Sequence, residues 1–134
     1  MSEEQEYIDD MVRRRGYVLD YHKYLANADY PVLTRFNSLI DAVYLKQRSL
    51  DRRTKELIFI VSLTAMRATK HHIKSHIKVA LDLGVTPREI LEAMEITLPE
   101  AGVVAFQDGF EAWCEAVGAE ALEPSPDALR PIES

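Results

Sequence analysis

The chain has 134 residues, 47% of them apolar and 28% charged, proportions that suit one globular domain. Its net charge of -6 and pI of about 5.2 exclude nucleic acid as a general partner, because phosphate binding needs a basic face. No apolar run approaches the ~20 residues that cross a bilayer, and the single cysteine, Cys114, leaves no partner for an internal disulfide or a Cys-x-x-Cys pair.

Helix signals recur along the chain and strand signals are nearly absent. The N-terminal stretch is acidic and then basic, without the apolar core of a signal peptide, and together with the lone cysteine this points to a reducing cytoplasm. From about Glu3 to Leu25, charged residues mix with Ile8, Met11, Val12, Val18 and Leu19, with an interruption expected at Gly16. Asn27-Ala28-Asp29 reads as a turn before a helix that starts at Pro31 and continues to about Leu45. Asp51 is placed to cap a helix over Arg52 to about Arg67. The near-continuous apolar residues from Leu57 to Leu63 suit burial on most sides of that helix. Thr69 can cap the next helix, which Gly84 would end.

Thr86-Pro87-Arg88-Glu89 is a capping box, opening a helix with Ile90, Leu91, Met94 and Leu98 that is expected to stop at Pro99. A last helix runs from about Ala101 to Val117, where Gly102 and Gly109 would allow a neighbouring helix to approach closely, and Gly118 would end it. These six helices predict an all-α, compact bundle over residues 1–120. Residues 121–134, with Pro124, Pro126 and Pro131, are expected to form an irregular tail.

Chemistry concentrates in Lys70-His71-His72-Ile73-Lys74-Ser75-His76. His72 and His76 are one helical turn apart on one face, and imidazoles titrate near neutrality, so the pair can move protons or bind a metal. His71 points elsewhere, with Ser75 and Lys78, and reads as surface. Arg67, Lys70, Lys74 and Lys78 read either as a solvated face or as the cations that draw in a small carboxylated molecule. Tyr7, Tyr17, Tyr21, Tyr24 and Tyr30 crowd the first quarter of the chain. They suit packing or subunit contacts, and any of them could roof a pocket.

The stretch from Leu50 to Trp113 resembles the carboxymuconolactone decarboxylase family. The resemblance rests on Leu50-Asp51-Arg52-Arg53-Thr54-Lys55-Glu56-Leu57-Ile58, the histidine helix, the run from Ala80 to Ala93, and Ala101-Gly102-Val103. It implies the all-helical fold shared with alkyl hydroperoxidase D-like proteins, and a subunit that assembles into a dimer, trimer or hexamer. The peroxidase branch has a glutamate followed by Cys-x-x-Cys-x-x-x-His. Here Glu56 matches the glutamate and His76 the histidine, while Thr69 and His72 stand where the cysteines would be. Neither can form a thiolate, so thiol peroxidase chemistry is not expected.

The cysteine-less decarboxylase branch is the closer relative, and it implies a lyase acting on a small carboxylated lactone or a related aromatic-catabolism intermediate. His76 is then expected to transfer the proton and Glu56 to orient it. His72, with Lys70 or Arg67, would hold the carboxylate or enolate, and no organic cofactor or metal is required. Two alternatives remain open. Glu56, His72 and His76 could hold zinc in a metal-assisted hydrolase or isomerase, or the protein could be a non-catalytic oligomeric binder of small molecules. In the catalytic reading, a Glu56–His76 contact is expected to line a pocket.

Overall fold

A computed structural model describes residues 1–118 and Leu122; the expected tail otherwise lies outside the described residues. Eight α-helices and no strand occur among the described residues: α1 (Glu3–Arg15), α2 (Asp20–Ala28), α3 (Tyr30–Ile40), α4 (Arg52–Ala65), α5 (Lys70–Asp82), α6 (Pro87–Glu95), α7 (Thr97–Ala101) and α8 (Val103–Val117). The architecture is all-α, as the periodicity predicts, with two more helices than expected.

Local chemistry sets most of the helix ends. Ser2 caps α1 by accepting from the Gln5 N–H, and Gly16, at φ 91°, closes it in the left-handed region. The interruption at Gly16 splits the first expected helix into α1 and α2. Asp29, Asp51, Thr69 and Thr86 cap α3, α4, α5 and α6. Thr86 and Glu89 exchange both hydrogen bonds of the capping box.

Two boundaries differ from expectation. The helix opened by Thr86 ends at Glu95, not at Pro99, which lies inside α7. It is the third residue there, where the missing N–H costs no helical hydrogen bond. Gly102, at φ 91°, separates α7 from α8, and a Cβ there would meet nothing within 4 Å. Only Gly109 is a close approach: a Cβ would stand 2.6 Å from Thr64 Cγ2 on α4.

The apolar residues form two cores. The larger gathers Ile60, Ile73, Ile77, Ala80, Ile90, Met94 and Trp113 from α4, α5, α6 and α8. The smaller joins Ile8 and Met11 of α1 to Ala26 of α2 and Leu33 of α3. Between them α3 runs on into one π-helical turn, Asp41–Leu45, which buries Tyr44 and leaves Val43 exposed. The most polar buried side chains lie along this seam.

Candidate active site

Glu56 on α4 and His76 on α5 come together in the hairpin formed by those helices. Arg67 closes the turn between them with φ 58°, a left-handed backbone that few non-glycine residues adopt. Across the hairpin His76 Nδ1 lies 2.7 Å from Glu56 Oε2, and neither side chain has any exposed surface. With Glu56 as a carboxylate, which only accepts, this contact places the proton on Nδ1 and leaves Nε2 with its lone pair. Tyr17, in the loop between α1 and α2, places its hydroxyl 3.1 Å from that Nε2. The result is a continuous chain of carboxylate, imidazole and phenol.

Aromatic rings enclose the imidazole. Phe59 stacks on it at 4.6 Å between centroids and 7° between planes. Tyr44 meets it edge-on at 6.0 Å, and His72 lies tilted at 5.5 Å. Burial raises the Glu56 pKa, and the hydrogen bond and charge of His76 offset only part of that rise. Burial, then His76 and His71, lower that of His72. Burial also pushes Tyr17 up to about 12, so its hydroxyl keeps its proton at neutral pH.

Two arginines border the chain. Arg52 Nε stands 3.7 Å from Glu56 Oε1, and neither atom has a hydrogen bond. The same guanidinium donates to the Arg15 carbonyl and to the Tyr44 hydroxyl, 3.1 Å each, and lies 4.7 Å over the Tyr44 ring. Arg15 is buried, donates to Asn37 Oδ1 and sits 5.8 Å from the Tyr17 ring centroid.

Two cavities open beside Tyr44 and Phe59. One, of about 440 Å³, is lined by the segment from Tyr44 to Arg52 together with Lys55, and so by four cations: Lys46, Arg48, Arg52 and Lys55. The other, of about 430 Å³, is lined by Val43, Ile58 and Phe59 and shares Arg48, Ser49, Leu50 and Lys55 with the first.

The structure therefore joins Glu56 to His76 and keeps His72 beside them, but it does not bring Lys70 or Arg67 to that wall. Lys70 Nζ lies 3.2 Å from Glu111 and 3.5 Å from Glu115, and Lys74 lies 2.9 Å from Glu115, so this lysine row faces α8. Two residues along a helix is about 200° of rotation, which turns Lys70 away from His72. The Arg67 side chain is exposed at the turn. Nor does the Glu56–His76 contact itself line a pocket, since both side chains are sealed. Among the described residues no group of three or more His, Cys, Asp or Glu is placed to hold a metal ion.

Sequence reading passed over Arg15, Arg52 and His22. His22 is buried, and its Nδ1 accepts the Leu19 N–H at 2.9 Å, tying down the loop that carries Tyr17. It stands at the third position of α2, where a reciprocal capping acceptor belongs, and that position was the available signal. For Tyr17 the only signal was membership of a tyrosine-rich segment.

Fold and site together define an all-α protein with a buried, hydrogen-bonded glutamate–histidine pair and no cysteine beside it. The family model described as "Carboxymuconolactone decarboxylase family" matches residues 31–115, and the chain belongs to that family. No curated protein and no solved structure matches the chain.

Proposed function

We propose that the protein is a lyase of the carboxymuconolactone decarboxylase type, acting on a small carboxylated lactone or related intermediate of aromatic breakdown. The observation that carries this reading is the buried Glu56–His76 hydrogen bond, an acid–base pair with nothing redox-active beside it. As CO2 departs, its bonding electrons flow into a conjugated carbonyl, and the resulting enolate takes a proton on carbon. His76 supplies that proton, while Glu56 holds the tautomer and stabilises the imidazolium. Arg52, with Lys46, Arg48 and Lys55 around the adjoining cavity, supplies the positive field for the carboxylate and enolate in place of Lys70 and Arg67. His72 stands beside His76, 5.5 Å away between ring centroids.

Cys114, on α8, packs against the larger core, and no second thiol exists to resolve an oxidised one. A non-redox reaction suits that arrangement better than peroxide reduction. The metal-assisted alternative has less support, because both ring nitrogens of His76 already lie at hydrogen-bond distance from Glu56 and Tyr17.

The test is CO2 release from carboxymuconolactone by the purified protein. His76→Ala is expected to lower kcat by at least about 100-fold. His71→Ala, at an exposed position, should change it less than about twofold, since surface substitutions away from such features have small effects. A wild-type protein inert toward this substrate, or a His76→Ala variant with normal turnover, would refute the reading.

A further inference from the structure

His76 cannot itself touch a substrate in this arrangement. Glu56 occupies Nδ1 and Tyr17 occupies Nε2, Phe59 covers one face of the ring, and no surface is exposed. A proton leaving the imidazole edge meets the Tyr17 oxygen first. Tyr17, unlike Glu56 and His76, keeps part of its own surface open. It also lies in the segment before residue 31, outside the stretch that the family model matches.

We propose that Tyr17 is a catalytic residue, whose hydroxyl hands the proton to the substrate carbon while His76 and Glu56 act behind it. This rests on the decarboxylase reading above. The reactive state is the imidazolium, hydrogen-bonded through Nδ1–H to Glu56 and through Nε2–H to the Tyr17 oxygen. Loss of CO2 leaves the bonding pair on the substrate as an enolate. The Tyr17 O–H proton then goes to the enolate carbon as the Nε2 proton moves to the Tyr17 oxygen. One proton is transferred overall, and the neutral Nδ1–H imidazole with an intact phenol remains. The coupling is needed because a phenol pushed up to about 12 is a weak acid on its own. Drawing on the imidazolium in the same step avoids a free phenolate.

The loop is held for this task. Gly16 turns it in the left-handed region, His22 anchors Leu19, and the Arg15 guanidinium lies beside the phenol ring. The N-terminal helix pair thus supplies the group that meets the substrate, whereas the family-matched hairpin supplies the proton.

Two measurements on the full-length protein test this. In the first, Tyr17→Phe, which keeps the ring and its packing, is compared with His76→Ala for CO2 release from carboxymuconolactone. Both should lose at least about 100-fold in kcat with KM changed little, and the double variant should be no worse than either single one. Tyr17→Phe keeping more than a tenth of the wild-type kcat while His76→Ala is inactive would overturn the relay and leave the decarboxylase reading standing. In the second, ¹⁵N NMR of the His76 ring is read without substrate. The neutral ring should be the Nδ1–H tautomer, and its Nε2 resonance should shift in Tyr17→Phe. An Nε2–H tautomer, or no shift, would overturn the relay even if carboxymuconolactone proves not to be the substrate.

Discussion

Burial is the largest influence on the pKa of three residues at the seam, Glu56, Tyr17 and His22. Burial raises the Glu56 pKa against the opposing hydrogen bond and charge of His76, and Tyr17 stays protonated because burial disfavours the phenolate. His22 shows the same physics in a stability role. Burial first, and the Arg15 charge second, lower its pKa to about 4, so the folded protein keeps it neutral where the unfolded chain would protonate it. The unfolded state therefore binds more protons between about pH 6.5 and pH 4, and stability falls as pH drops through that window. His22→Gln retains an acceptor for the Leu19 N–H but does not titrate. Urea unfolding at pH 7 and pH 4.5 should show a smaller acid loss in this variant than in the wild type. Because the lowered His72 pKa adds to the loss in both proteins, the difference between them isolates His22. Equal losses would remove His22 as the cause.

Among the helices, α4 carries the greatest constraint. One side of it presents Glu56 to His76, and another meets α8 where Gly109 lies against Thr64. An added Cβ at Gly109 would fall 2.6 Å from Thr64 Cγ2 and 2.8 Å from both Thr64 Oγ1 and Met94 Cε. The Met94 terminus can swing aside, but the β-branched Thr64 side chain is short and buried, so the helices must separate. Gly109→Ala is expected to destabilise by about 1–3 kcal/mol through overpacking, despite alanine's better helix propensity. Thermal unfolding checks this, and a Tm equal to or above that of the wild type would show that the interface relaxes freely. The π-helical turn after α3 is equally specific. It turns Tyr44 inward over His76 and sets Asp41 beside Arg14, at 2.6 Å.

At the scale of the molecule, two apolar cores meet along a polar seam, and neither core covers the outer face of α3. Val32, Phe36 and Leu39 of α3, with Val43 of the following turn, fall on one exposed stripe, and Ile58 of α4 is exposed as well. No helix among the described residues is long and apolar enough to cross a membrane. Such a stripe on a small helical subunit suits contact with further copies of the chain, and a homo-oligomer of dimer, trimer or hexamer size is the expected state. Light scattering at micromolar concentration should give a multiple of the 15.3 kDa subunit mass. Phe36→Glu should shift that mass downward. A monomer mass for the wild type would refute the expectation.

The sequence by itself made most of the helices legible, because capping and periodicity act within a few residues, but not the separate α7 or the π-helical turn after α3. Ser, Thr and Asp caps, the Thr86–Glu89 box and the glycines at positions 16, 84 and 118 are local devices, and α4 and α5 lie where the spacing puts them. It also carried enough pattern to indicate the family and to pair Glu56 with His76, since both lie on one short hairpin. Tertiary structure decided what depends on helix rotation and on contacts between distant segments. Rotation turned Lys70 to Glu111 and Glu115 on α8, because opposite charges across a shared surface satisfy each other. Tyr17 is fifty-nine positions from His76, and Arg52 depends on the Arg15 carbonyl for its orientation. No periodicity within one helix encodes such meetings. They exist because the N-terminal core folds back onto the family-matched bundle, and the polar groups caught at the seam must find one another to be buried at all.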